Sequence, residues 1–338
     1  MKQILIQRAG KPEVLTMQET PAHVPSNGQV RIKVEVCGIN FADILGRMGI
    51  YPDAPPIPYV PGYEVAGVVD MVGQGVTGLE IGDPVFALTQ FGGYSNSVCV
   101  PYKQVFKRPT WMSAQDAAAL PVNYLTAYIM LVVMGALHGT DKVLIHGAAG
   151  GVGLAALDIC KIMGAETFGT ASPSKHPFLQ ERGLTHAIDY RNLDYARVVQ
   201  DITDGRGVNL ILDPLGGVNW MKNYNLLRPT GRVVYFGASS VATGKRRSLL
   251  ATAKLLFSIP RFSPLQLMND NRAVMGVNIG HLWGEAESLG RWMEQIVAWY
   301  DDALFRPQID KVFSFDEATE AHHYIQDRKN IGKVLLRA

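Results

Sequence analysis

The stretch Val143-Leu-Ile-His-Gly-Ala-Ala-Gly-Gly-Val-Gly153 limits the fold of this chain more than any other. A short apolar run, Val143 to Ile145, breaks into a glycine turn from Gly147 to Gly153. A helix-like apolar pattern then follows through Leu154, Leu157, Ile159 and Ile162. Strand, glycine turn and helix make the corner of a βαβ unit that grips phosphate. Glycines let the backbone approach a pyrophosphate without Cβ clashes, and the helix N-terminus offers unpaired N–H groups and a positive dipole end. A glycine pattern alone is weak evidence, but here the flanking strand and helix supply the context the motif requires. Gly147, Ala149, Gly150, Gly151, Val152 and Gly153 are therefore expected to bind a dinucleotide, and Gly237, after a later apolar run, is counted with them.

From Lys142 onward, strand-like and helix-like patterns alternate, with strands expected near 143–145, 167–170, 210–212, 233–236 and 273–279. Such alternation predicts an α/β fold with a parallel sheet of βαβ units. Residues 1–120 read differently. Gln29 to Val36 alternates apolar and polar residues, and further short strands near 65–69 and 83–87 are split by Gly and Pro, which suggests a β-rich, barrel-like domain. Ser113, with Asp116 three residues later, reads as the N-cap of a helix, and a second helix is expected over 123–134. The tail gives helix, strand, helix and strand near 285–300, 311–315, 315–327 and 333–336, and is expected to return to the first domain. The domain boundaries expected are 1–120, 121–280 and 281–338.

With 47% hydrophobic and 18% charged residues, the chain can form a large core. Its 32 basic and 30 acidic residues give no electrostatic footprint for nucleic acid. Three cysteines without a Cys-x-x-Cys pair fit a reduced, cytoplasmic protein. The N-terminus turns polar too soon for a signal peptide, and the longest apolar stretch, 128–137, is too short to span a bilayer.

An NAD site carries an acidic residue about 20 residues past the glycines to hold the ribose diol. This chain has Gly169-Thr-Ala-Ser-Pro-Ser-Lys175 there, with no carboxylate. Ser172 and Lys175 would attract a 2′-phosphate that a carboxylate would repel, which favours NADPH over NADH; Lys175 read alone is also an ordinary solvated charge. The basic, amphipathic segment 245–257 reads as a surface helix, with peripheral contact to an anionic membrane as the alternative. The adjacent His322 and His323 diverge on a helix and are expected at the surface, not as a ligand pair.

Further marks lie at Cys37-Gly-Ile-Asn-Phe-Ala-Asp43 with Tyr51 downstream, at Pro61-Gly-Tyr-Glu64, and at Gly332-Lys-Val-Leu-Leu336. Read alone, Asn40 and Asp43 are also turn formers, and Tyr51 is also a packing residue. Together with the glycine corner they make the chain resemble the medium-chain dehydrogenase/reductase superfamily, in its zinc-free quinone oxidoreductase branch. Within that branch, Leu120-Pro-Val-Asn-Tyr-Leu-Thr-Ala-Tyr128, Phe168-Gly-Thr-Ala-Ser-Pro-Ser-Lys-His176, Thr185-His-Ala-Ile-Asp-Tyr190 and Asp213-Pro-Leu-Gly-Gly217 resemble the vesicle amine transport protein family.

The resemblance implies a GroES-like domain, a Rossmann domain with a doubly wound parallel sheet, and a homodimer. Positions that hold catalytic zinc in related alcohol dehydrogenases match Asn40, Tyr63 and Val122, a set unsuited to tetrahedral zinc, so no metal is expected. Asn40, Asp43 and Tyr51 match substrate-cleft positions, Thr126 a residue near the nicotinamide ribose, and Lys175, Tyr190 and Arg328 residues that hold a 2′-phosphate. The implied function is a zinc-independent, NADPH-dependent oxidoreductase that transfers hydride to a quinone or another conjugated carbonyl (an enone). Tyr51 is the first candidate, and Asn40 the second, to steady the oxyanion. The rival reading is an NADPH-binding adaptor that acts through partner or membrane contacts with little turnover.

Overall fold

The computed structural model describes residues 1–242 and 258–338, so the basic segment 245–257 lies outside the described residues. The described chain divides into two compact units, one of residues 1–125 and 279–338, the other of residues 126–242 and 258–278. In chain order, the first unit opens with β1 (Lys2–Ile6), β2 (Leu15–Glu19), β3 (Gln29–Ile39), β4 (Glu64–Val72), β5 (Pro84–Leu88), β6 (Ser97–Pro101) and β7 (Val105–Lys107). The second unit carries β8 (Lys142–His146), β9 (Glu166–Ala171), β10 (His186–Asp189), β11 (Val208–Asp213), β12 (Leu227–Tyr235) and β13 (Ala273–Gly276). The chain then adds β14 (Ile309–Ser314) and β15 (Lys333–Arg337) to the first unit.

The first unit's main sheet runs β14-β15-β3-β4-β5-β7, with β6 also on β3. β15 lies antiparallel to β3, with Leu335 opposite Gly38 and Leu336 opposite Cys37, so the tail is part of the N-terminal sheet. The alternation read in β3 holds through Val36, after which Cys37, Gly38 and Ile39 are all buried.

In the second unit all six strands are parallel, in the order β10-β9-β8-β11-β12-β13. Numbered within the unit this is 3-2-1-4-5-6, the dinucleotide-binding order, with its reversal beside β8. Leu144, Phe168, Ile188, Ile211 and Val233 form its core, none more than 1% exposed.

Three local expectations change. The helix expected over 123–134 is Pro121–Tyr128 followed by a π turn, Ile129–Val133, in which Met134 N donates to Ile129 O five residues back. Ser113 does cap its helix, its hydroxyl accepting from Asp116 N at 3.0 Å, but the Asp116 carboxylate takes the Tyr300 hydroxyl at 2.8 Å. His322 is fully buried, not at the surface. On the helix Ala318–Gln326 it shares the inward face with Ala318, Ala321 and Ile325, while its neighbour His323 turns out to Glu13 at 2.9 Å.

Candidate active site

β8 ends at His146, and the chain turns at Gly147, whose φ of +64° favours glycine. The helix Gly151–Met163 follows, with Gly150 at its N-cap. Gly151, Val152 and Gly153 occupy its first positions, where N–H groups have no partner inside the helix. A Cβ at Gly153 would sit 2.8 Å from the Ala148 backbone, so only glycine allows the helix this close to the turn.

The turn is held from behind by residues that no motif marks. Gly147 N–H donates to Thr170 Oγ1 at 3.2 Å, and that hydroxyl lies 3.1 Å from His146 Nδ1. His146 Nε2 lies 3.0 Å from Asn223 Oδ1, which also takes the Tyr195 hydroxyl at 2.9 Å. Asn223 Nδ2 donates to Asp213 Oδ2 at 2.9 Å, and Leu215 N–H caps Asp213 Oδ1 at 2.6 Å. A neutral imidazole with its proton on Nε2 satisfies every link, which assigns the tautomer. Burial holds His146 below the ordinary histidine range, in keeping with that form.

At the end of the next strand, Ser172 is buried and Lys175 closes a 3₁₀ turn, its N–H on Ser172 O at 2.9 Å. β10 pairs with β9 so that Asp189 lies opposite Ala171, which puts Tyr190 and Ser172 on neighbouring strand ends. The carboxylate there, Asp189, is engaged by its own loop, accepting from Arg191 N–H at 3.0 Å and Asn192 Nδ2 at 2.6 Å. Thr126 lies buried on the helix Pro121–Tyr128. Gly237 packs on Pro214, beyond β12. These belong to the second unit, whereas Arg328, with φ +56° after the helix Ala318–Gln326, belongs to the first. The glycine cradle and free helix start fit a dinucleotide pyrophosphate.

In the first unit, Asn40 ends β3's path and precedes the helix Phe41–Arg47. Asp43 is buried, its two oxygens accepting Asn40 N–H at 2.8 Å and Gly62 N–H at 2.9 Å. Burial pushes its carboxyl up to about 7 against the pull of those two bonds. The Asn40 side chain is held on both sides: Lys333 Nζ donates to Oδ1 at 2.7 Å, and Nδ2 donates to Glu64 Oε1 at 2.9 Å. Lys333 also pairs directly with Glu64, and Val122 N–H donates to Glu64 Oε2 at 2.8 Å. Two of the zinc-matching positions, Asn40 and Val122, thus converge on one buried carboxylate, and the third, Tyr63, directly precedes it. Among the described residues, no three His, Cys, Asp or Glu side chains are grouped to hold a metal ion.

Tyr51 is half-buried, its ring edge-on to Tyr63 at 6.2 Å between centroids. Burial first, and Asp53 next, push its phenol up to about 12, so it stays protonated near neutrality. Asp53 and Tyr63 lie beside its hydroxyl, and Asp53 in turn pairs with His281 at 3.0 Å. Neither Asp53 nor His281 is signalled by the sequence, since they are more than 200 positions apart and lie in no shared motif.

Residues 26–110 match the alcohol dehydrogenase GroES-like domain, and residues 182–336 match the zinc-binding dehydrogenase family. A synaptic vesicle membrane protein VAT-1 homolog of Rattus norvegicus is 43% identical over 97% of this chain and 81% of its own length. The Escherichia coli quinone oxidoreductase complexed with NADPH superposes with a TM-score of 0.89 at 26% identity, over the whole of both chains. The CurK enoyl reductase does so with a TM-score of 0.86 at 29% identity, over 99% of this chain and 98% of its own. Likeness of this degree along nearly the full length decides the matter: the chain belongs to the medium-chain dehydrogenase/reductase superfamily of oxidoreductases, in the family of the synaptic vesicle membrane protein VAT-1 homologues.

Proposed function

We propose that the protein is a zinc-independent, NADPH-dependent reductase of quinones or other conjugated carbonyls. The observation that carries this reading is the pairing of a dinucleotide corner with strand ends that offer Ser172, Lys175 and Tyr190, and no carboxylate from Phe168 to Lys175. Arg328 is assigned to the same 2′-phosphate, and Thr126 to the nicotinamide ribose. The solved relatives support the choice, one being a quinone oxidoreductase complexed with NADPH and another an enoyl reductase. NADPH, when bound, supplies the hydride.

The protein's own residues receive the charge that hydride addition creates. An amide, a phenol and an alkyl group at Asn40, Tyr63 and Val122 are not a tetrahedral zinc donor set, so hydrogen bonds carry the polarisation. A conjugated acceptor spreads its charge and needs less of it. Tyr51, kept protonated, is the donor offered to the developing oxyanion. Asn40 is the second, through the Nδ2 hydrogen that Glu64 does not take. Asp43 braces the Asn40 and Gly62 main chain.

NADPH oxidation measured against a panel of quinones and enones tests the reading. Turnover with such acceptors, and none with simple ketones, is expected. The names of the VAT-1 relatives favour a second reading, an adaptor at membranes. NADPH binding without turnover, together with cosedimentation with vesicles, would replace the enzyme with that adaptor. No helix among the described residues is long and apolar enough to cross a membrane. β13 ends the parallel sheet, and pairing of that edge with its copy gives the homodimer we assign, which light scattering tests.

A further inference from the structure

The second unit carries a concave pocket at the end of its sheet opposite the glycine corner. β11 and β12 begin at Val208 and Leu227, and the pocket is built on the loops just before and around those starts. The glycine corner follows the end of β8, which runs parallel to β11. At about 3.3 Å per residue, a six-residue strand separates the two places by roughly 20 Å.

The pocket encloses about 240 Å³, and three arginines line it, Arg206, Arg228 and Arg272, with Gln200 and Asn225 beside them. No carboxylate is among the lining residues. Asp201, next to Gln200, pairs with Arg197 outside the pocket at 4.0 Å. Asp204 is 3.8 Å from Arg206, with both side chains mostly exposed, and Asp270 takes the Tyr224 hydroxyl at 2.7 Å. The lining itself carries three cations and no carboxylate.

The walls are fixed. Arg206 N–H donates to Thr203 O at 3.0 Å, and Gly207 N–H to Thr203 Oγ1 at 3.0 Å, which ties down the loop before β11. The Arg272 guanidinium lies over the Tyr224 ring, 5.4 Å from its centroid. Its Nε is buried and has no acceptor among the described residues. A guanidinium is a planar fork that matches two oxygens of one oxyanion, and several such forks around one concavity match a phosphate group better than a single carboxylate.

We propose that this pocket is a second anion site, separate from the dinucleotide corner, that binds a phosphate group. The volume admits a phosphate with a second phosphate or a small organic part. The group comes either from a soluble phosphate compound or from a lipid headgroup, and the chemistry that recognises it is the same.

Calorimetric titration of inorganic phosphate and pyrophosphate into the full-length protein tests this, with the glycine corner first saturated by NADPH so that it cannot compete. One site per chain is expected. A hydrogen bond to a charged group is worth ~1.5–3 kcal/mol, so Arg228→Gln and Arg272→Gln should each weaken binding by about 10- to 100-fold. Arg197→Gln, exposed and outside the pocket, should not change it, and NADPH affinity should be unaltered in all three. Arg228 is exposed, so its variant remains informative even where Arg272→Gln disturbs folding. Vesicles carrying a phosphomonoester headgroup form the second arm. Retention on them that inorganic phosphate displaces assigns the site to lipid, and binding of free phosphate without retention assigns it to a soluble compound. Absence of binding at millimolar phosphate and pyrophosphate, or equal affinity in wild type, Arg228→Gln and Arg272→Gln, overturns the proposal.

Discussion

Replacing Thr170 by valine tests whether the glycine corner is held from behind. The substitution keeps the branched shape and removes one hydroxyl, which accepts Gly147 N–H at 3.2 Å and faces His146 Nδ1 at 3.1 Å. Thr170 is 3% exposed, so bulk water does not take the hydroxyl's place. His146 Nδ1, buried, is left without a partner at a cost of ~1–3 kcal/mol, and Gly147, an exposed residue, loses a hydrogen bond worth ~0.5–1.5 kcal/mol, for a gross loss of about 1.5–4.5 kcal/mol. The extra buried methyl returns about 1 kcal/mol. A net loss of about 0.5–3.5 kcal/mol, at roughly 2–4 °C per kcal/mol for domains of this size, lowers the melting temperature by about 1–14 °C. Where as little as ~1.4 kcal/mol of that loss is expressed in the Gly147 turn, NADPH affinity falls about tenfold.

Thr170→Ser is the control. It keeps the hydroxyl and loses a methyl, so its stability should drop by about 1 kcal/mol, with cofactor affinity near wild type. Thermal melts followed by circular dichroism give the first quantity, and NADPH fluorescence titration gives the second. A valine variant that melts within about 1 °C of wild type and binds NADPH equally well would show that the His146–Thr170–Asn223 network is incidental to the corner.

Lys175→Ala should weaken NADPH about 10- to 100-fold while leaving NADH almost unchanged, because only NADPH brings a charged 2′-phosphate. Equal weakening of both in parallel calorimetric titrations would give Lys175 a role in the fold or at the pyrophosphate. Tyr51→Phe should lower kcat by about 10²-fold, less where water substitutes, with NADPH affinity unchanged; unchanged kinetics with an active acceptor would assign Tyr51 to packing. Burial, chiefly, holds His146 and His322 neutral, below the ordinary histidine value of 6.5. Their contribution to stability is therefore present above pH 6.5 and lost as the pH falls toward their folded values. Asp43, raised by burial to about 7, acts oppositely, its contribution being lost as pH rises toward 7. His322→Gln isolates the histidine part and should flatten the fall in melting temperature between pH 7 and pH 5; an unaltered slope would refute it.

What can be read from the sequence is local. The glycine corner is written in eleven consecutive residues, and the strands about it in runs of three to seven, because turn chemistry and side-chain period act between near neighbours. The Ser113 cap has the same character. The buried polar networks do not. His146, Thr170, Asp213 and Asn223 meet across strands, and nothing within a few positions of Asn223 marks it as the residue that bonds both His146 and Asp213. Tyr300 claims the carboxylate of Asp116 from 184 positions away, a competition no local pattern encodes. His322 departs from its expected surface position for a related reason: two adjacent histidines look polar as a pair, but a helix separates them by about 100°, and one lands on the inward face.

Gly38 shows how a residue that is mute locally gains a reason in three dimensions. In the sequence it stands in the 37–43 mark, just past the alternating run 29–36, with no role of its own. In the fold, a Cβ there would lie 2.7 Å from Lys333 Cε and 2.8 Å from Glu64 Cδ. Gly38, Glu64 and Lys333 come from the three marks at 37–43, 61–64 and 332–336 through which the chain resembles its superfamily. Those marks are far apart along the chain because each supplies one part of a single object: a buried Lys333–Glu64 pair that holds the Asn40 amide, with room left for it by the absent Gly38 side chain. Breaking such a pair from one side leaves a buried charge uncompensated, at a cost of about 3–5 kcal/mol. With Lys333 gone, Glu64 would keep only the neutral donors Asn40 Nδ2 and Val122 N–H, which do not replace the lost charge. A resemblance built on the three marks therefore reports a three-way contact between segments that are distant along the chain.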